Sequence, residues 1–246
     1  MLDARLSETA ETLRIGDFER QPRLVRETRY PVSKYLPLDA QQRMAAAIDF
    51  AQAIRTPITV MLSVNAAHLQ KMDLGGVFEI GHLWDGFQRF EELIRKWVKQ
   101  RGIPWACVWV REYTGGRNNH HGEHWHLAFH LPKKHREAFA AQVAEWTDEP
   151  HGAPDAKPTT VARSEAGAWH IRTADAGAAA YLGKATPKTR PHYGKRIPND
   201  LRNTRHHGGE GRIEGKRFGI SNTIGPTAQG RHRDTLNGGI GAEAFE

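Results

Sequence analysis

A chain of 246 residues with an apolar fraction of 39% can bury one sizeable core, so one main domain with appended ends is expected. The single cysteine, Cys107, excludes an internal disulfide and a multi-thiolate zinc site, and no apolar run reaches the ~20 residues that span a bilayer. The formal charge of +7 favours a polyanionic partner, nucleic acid first, because Lys and Arg bound to phosphates release counterions.

Residues 1–37 are polar and basic with no sustained period, and read as a partly disordered arm. Its start, Met1-Leu2-Asp3-Ala4-Arg5-Leu6, lacks the apolar core of a signal peptide, which points to a cytoplasmic chain. Over 38–54, Asp39 can cap a helix on which Met44, Ala47, Ile48 and Ala51 recur at helical spacing. Pro57 ends that pattern. Residues 58–64 then alternate, with Ile58, Val60, Leu62 and Val64 on one face of a first strand.

Asp85 can cap a second helix running to about residue 100, with Phe87, Phe90, Leu93, Ile94 and Trp97 on one stripe and Gly102 past its end. Residues 103–113 read as a second strand. Trp105, Cys107 and Trp109 fall on one face, and Ala106, Val108, Val110 and Glu112 on the other. The loop 114–122, rich in Gly, Asn and His, turns the chain back, which predicts an antiparallel hairpin and brings Glu112 near the next strand's imidazoles.

That next stretch is His124-Trp125-His126-Leu127-Ala128-Phe129-His130-Leu131-Pro132. Alternation places His124, His126, Ala128 and His130 on one side, and Trp125, Leu127, Phe129 and Leu131 on the other. Imidazoles two residues apart on one face can share a divalent metal without distorting the backbone. Beyond Pro132, residues 135–146 form a short amphipathic helix, 147–157 a Pro/Gly/Asp loop, and 169–173 another strand. An Ala-rich helix over 175–184, capped by Asp175 and stopped before Pro187, carries Tyr181 and Lys184 on one face. From 197 onward the chain is rich in Gly, Arg, His and Asn and is expected to bury little.

The order of the strand 58–64, then His124-Trp125-His126, then Tyr181-Leu182-Gly183-Lys184 resembles the three motifs of the HUH endonucleases. The closest resemblance is to the rolling-circle replication initiators of small plasmids and phages. It covers about residues 55–190, and Gly215-Lys216-Arg217-Phe218-Gly219-Ile220-Ser221 is similar to a segment that follows the catalytic core in some initiators. The resemblance implies that Tyr181 attacks a phosphodiester of single-stranded DNA, leaving a 5′-phosphotyrosine link and a free 3′-hydroxyl. It implies a metal on His124 and His126, with Glu112 as third ligand, and Lys184 on the phosphate or assisting the phenol. Mg²⁺ or Mn²⁺ is the expected ion. Lys188, Arg190, Tyr193, Lys195, Lys216 and Arg217 are expected to contact DNA. The chain departs from the pattern at Ala185-Thr186-Pro187-Lys188, which ends the helix early, and it has one motif tyrosine, so a two-tyrosine mechanism is not supported.

Rivals stand beside these assignments. Tyr193 is a competing nucleophile, Glu123 rivals Glu112 but points to the other face, and His130 can replace a ligand or support one. His120 and His121 read as solvated loop residues. The expected fold is α+β, a central and mostly antiparallel sheet with helices on one face, HUH endonuclease or RNA-recognition-motif-like. Residues 1–37 form the arm, 38–196 the catalytic domain and 197–246 a basic Gly-rich extension and tail. The expected function is a sequence-specific, metal-dependent single-strand endonuclease and strand transferase that starts rolling-circle replication on single-stranded or hairpin origin DNA. Its helicase is a separate partner, since no Gly-rich phosphate loop ending in Lys-Ser or Lys-Thr occurs. A mobilisation relaxase, a single-tyrosine transposase, a catalytically inactive DNA-binding initiator and a small-molecule metallohydrolase are the alternatives.

Overall fold

The computed structural model describes residues 32–33, 36–37, 39–66, 83–113, 122–152, 159–174, 177–183 and 213–240. In chain order the elements are β1 (Val32–Ser33), α1 (Ala40–Ala53), β2 (Val60–Asn65), α2 (Leu83–Gln100), β3 (Cys107–Tyr113), β4 (Glu123–Phe129) and α3 (Arg136–Thr147). After these come β5 (Thr160–Arg163), β6 (Trp169–Thr173), α4 (Ala178–Leu182), β7 (Ile213–Glu214), β8 (Phe218–Ile220) and α5 (Pro226–Ile240). The fold is α+β. Six strands form one antiparallel sheet in the order β5-β6-β2-β4-β3-β8, and β1 pairs with β7 in a two-stranded sheet of its own.

The imidazole strand β4 lies inside the sheet, paired with β2 on one side and β3 on the other. Its alternation is as expected. Trp125, Leu127, Phe129 and Leu131 join Val60, Leu62, Cys107 and Trp109 in one core, closed by Phe87, Phe90, Ile94 and Trp97 of α2 and by Phe139 and Val143 of α3. Cys107 is fully buried there, and burial pushes its thiol well above the ordinary range.

Helices were expected on one face. α2 and α3 occupy that face, but a second and smaller core fills part of the imidazole side, where Met44, Ala47 and Ala51 of α1 and Leu182 of α4 meet Met61, Val108, Val110 and Ala128. Ile58 joins this second core rather than the face of Val60, because β2 begins only at Val60 and residue 58 precedes the strand's alternation.

Two helix starts differ from expectation. Asp39 precedes α1 without a side-chain cap and instead approaches Arg43 at 3.7 Å, while Asp85 lies in the first turn of α2. Asp85 there suits the positive end of the helix dipole. Gly102 follows α2 at φ 65, the left-handed geometry that glycine adopts without penalty. Residues 213–240, expected to bury little, instead supply the edge strand β8 and the helix α5, with Ile213, Arg217 and Ile224 buried. Of the arm over 1–37, residues 1–31 lie outside the described residues and β1 lies within them. Among the described residues no helix is long and apolar enough to cross a membrane.

Candidate active site

Register decides which side chains meet. β4 opposes β3 with His124 against Glu112 and His126 against Val110, and it opposes β2 with His124 against Asn65 and His126 against Ser63. Directly paired residues share a face, so Glu112, His124 and Asn65 form one row, and Val110, His126, Ser63 and His170 of β6 form the next. A third row holds Val108, Ala128, Met61 and Arg172.

His126 is the hub. Its Nδ1 lies 2.8 Å from Ser63 Oγ, and its Nε2 lies 3.4 Å from Glu112 Oε2, with side-chain exposures of 7% for His126 and 6% for Glu112. When Nδ1 carries the proton and donates to the hydroxyl, Nε2 presents a lone pair to a carboxylate that is also an acceptor. With that tautomer a metal ion between the two acceptors would satisfy both, whereas with the other tautomer Ser63 donates to Nδ1 and Nε2–H faces the carboxylate directly. The donor chemistry of His126, Glu112 and the neighbouring His124 therefore fits a divalent metal. Among the described residues no three His, Cys, Asp or Glu side chains are already drawn together around one point.

Tyr181 reaches this centre through α4. Gly183 faces Gln41 of α1 so closely that a Cβ there would come within 2.6 Å of Gln41 Cγ, so the absent side chain lets α4 sit down on α1. Leu182 is buried beneath it. The half-buried ring of Tyr181 then lies edge-to-face with His126, centroids 5.3 Å apart, and the Arg172 guanidinium stands 4.1 Å from its centroid. α4 is shorter than the helix expected over 175–184, and its described start follows Gly177; Asp175 and Lys184 lie outside the described residues.

Of the other expected site residues, Lys188, Arg190, Tyr193 and Lys195 also lie outside the described residues, as do His120 and His121. Lys216 is exposed, and its carbonyl accepts from Arg111 Nη1 at 3.1 Å, whereas Arg217 is only 3% exposed. His130 donates Nδ1–H to the Pro57 carbonyl at 2.8 Å, beyond the end of β4. Glu123 turns to the opposite face, as alternation requires, and pairs there with Arg111. Ser63 and Arg172 are site residues that sequence reasoning did not single out. Strand alternation over 60–65 and 169–173 would have put each on the His126 side once the pairing was known.

Comparison of the chain with protein-family models, with curated proteins and with solved structures returns no match in any of the three.

Proposed function

We propose that this chain is a metal-dependent, sequence-specific single-stranded DNA endonuclease and strand transferase that initiates rolling-circle replication of a plasmid or phage. The observation that carries the reading is the phenol of Tyr181 beside His126, whose Nε2 also faces Glu112. A nucleophile, an imidazole and a carboxylate stand together on one sheet face although they come from three separate elements.

The reaction is a transesterification. The Tyr181 oxygen bonds to phosphorus as the bond from phosphorus to the 3′-oxygen breaks; the phenolic proton passes to water, and the leaving oxygen takes up a proton to become a 3′-hydroxyl. The energy of the phosphodiester is kept in the phosphotyrosine bond, so the same step in reverse rejoins a strand. A divalent metal held by His126, His124 and Glu112 would polarise the scissile phosphate and neutralise charge that develops on its oxygens. Carboxylate and phosphate oxygens suit Mg²⁺ or Mn²⁺, and the two imidazoles favour Mn²⁺ of the pair. Ser63 fixes the ring of His126 so that Nε2 faces the carboxylate. The net charge of +7 supports a polyanionic substrate. In this reading the chain works in the cytoplasm with a separate helicase.

The test is incubation with a pool of labelled single-stranded oligonucleotides and Mn²⁺, followed by a denaturing gel. Wild type forms a covalent adduct and a free 3′-hydroxyl, and Tyr181→Phe and His126→Ala form neither. An adduct that persists in Tyr181→Phe moves the nucleophile to Tyr193. Hairpin binding without an adduct in wild type assigns the chain to the catalytically inactive DNA-binding initiators.

A further inference from the structure

Tyr181 is half-buried on the short helix α4, and side chains of the sheet pack against its ring. One is His126. Another is Arg172, one row away on β6, which pairs with Met61 and faces the same side of the sheet. Its Cζ stands 4.1 Å from the phenol centroid, within stacking distance, and its Nη2 points at Met61 Sδ, 3.7 Å away. A thioether is a weak acceptor. Among the described residues Arg172 has no carboxylate partner, so no described anion neutralises the positive charge that lies over the phenol.

Resting on the nuclease reading above, we infer that Arg172 is a positioning residue for Tyr181 and a phosphate contact for the single-stranded substrate. A guanidinium is flat: its face packs on the aromatic ring, while its N–H donors lie in the plane and remain able to fork onto two phosphate oxygens. One side chain thus braces the nucleophile and draws the scissile strand to it. A lysine can supply the charge but has no flat face with which to hold the ring.

The experiment uses the full chain, Arg172→Lys and Arg172→Met. Equilibrium binding of a labelled single-stranded oligonucleotide is measured over a KCl series in EDTA, and adduct formation is measured in Mn²⁺ at saturating oligonucleotide. Arg172→Met reduces the slope of log K against log salt by about 0.7, the value for one phosphate contact on a single strand. Arg172→Lys keeps the wild-type slope, which also shows that it folds, yet its saturating adduct rate falls by up to about 100-fold because the ring is no longer held. A wild-type slope in Arg172→Met overturns the phosphate contact, and a wild-type saturating rate in Arg172→Lys overturns the positioning role. A wild type that forms no adduct, with the slope still reduced in Arg172→Met, sinks the nuclease reading and upholds the phosphate contact.

Discussion

Glu123 meets Arg111 on the face of the sheet opposite the imidazoles, Oε1 to Nε at 2.5 Å, with side-chain exposures of 3% for Glu123 and 0% for Arg111. Trp125 Nε1 donates to the same carboxylate oxygen at 2.6 Å, and the guanidinium lies 5.1 Å from the Trp84 ring centroid under the start of α2. Removing one partner of such a pair strands a buried charge, at a cost of about 3–5 kcal/mol. Glu123→Gln is therefore expected to lower the urea midpoint sharply, while the double change Glu123→Leu with Arg111→Met recovers most of the loss. A Glu123→Gln chain as stable as wild type would show that the pair contributes nothing.

Glu112 and Glu123 are both buried acids at the loop end of the β3-β4 hairpin, and they face opposite sides of the sheet. Glu112→Gln replaces a carboxylate facing His126 Nε2 by a group that can donate to it, so the fold is expected to hold to within about 1 kcal/mol. Mn²⁺ affinity is expected to fall by at least about 10-fold, and Ser63→Ala, which frees the far side of the same ring, by about 10-fold to 100-fold. Titration of Mn²⁺ followed by its paramagnetic resonance signal reads both. Wild-type affinity in Glu112→Gln would remove it from the proposed ligand set.

The faces of β3 and β4 and the stripe of α2 were legible because each rests on local periodicity: Trp125, Leu127 and Phe129 can only be apolar together if they share a buried side. The hairpin loop made Glu112 legible too, since the chain between 113 and 123 is too short for any but antiparallel pairing. Ser63 and Arg172 were not legible, because their partners His126 and Tyr181 come through pairings of β2 with β4 and β6 that no local pattern states. β8 has three residues, too few for alternation to register. α5 begins with Pro226, a good first helical residue, but Gly230, Gly238 and Gly239 lower its propensity, so its composition argued for coil.

The Gly215 to Gly219 segment has a packing role that its composition hid. An added Cβ at Gly219 would lie 2.4 Å from Trp109 Cε2, and one at Gly215, whose φ is 82, would lie 2.8 Å from Trp84 Cγ. These glycines let the chain cross the two indoles closely enough for β8 to hydrogen-bond to β3. Gly219→Ala is expected to cost about 1–3 kcal/mol through overpacking, and Gly215→Ala at least as much, because backbone strain adds to the clash. Urea melts followed by Trp fluorescence measure both. A loss below about 0.5 kcal/mol for Gly219→Ala, the range of ordinary surface substitutions, would mean that β8 can move away from Trp109 without penalty.

Glu91 offers a stability change whose sign depends on pH. Burial raises its carboxyl above the ordinary Glu range, and the opposing pull of Arg95 and Lys216 is smaller. A folded-state value above the unfolded one means that the folded chain binds the proton more tightly, so this group's favourable contribution is present below the unfolded value of about 4.3 and is lost as pH rises through the folded one. At pH 7, above the unfolded value, Glu91 is thus a net burden on the fold. Glu91→Gln removes the charge and keeps the shape. It is expected to raise the Tm at pH 7, with the gain shrinking as pH falls and vanishing below about pH 4, where Glu91 is itself neutral. A lower Tm for Glu91→Gln at pH 7 would reverse the ranking, placing the attraction to Arg95 and Lys216 above the cost of burial.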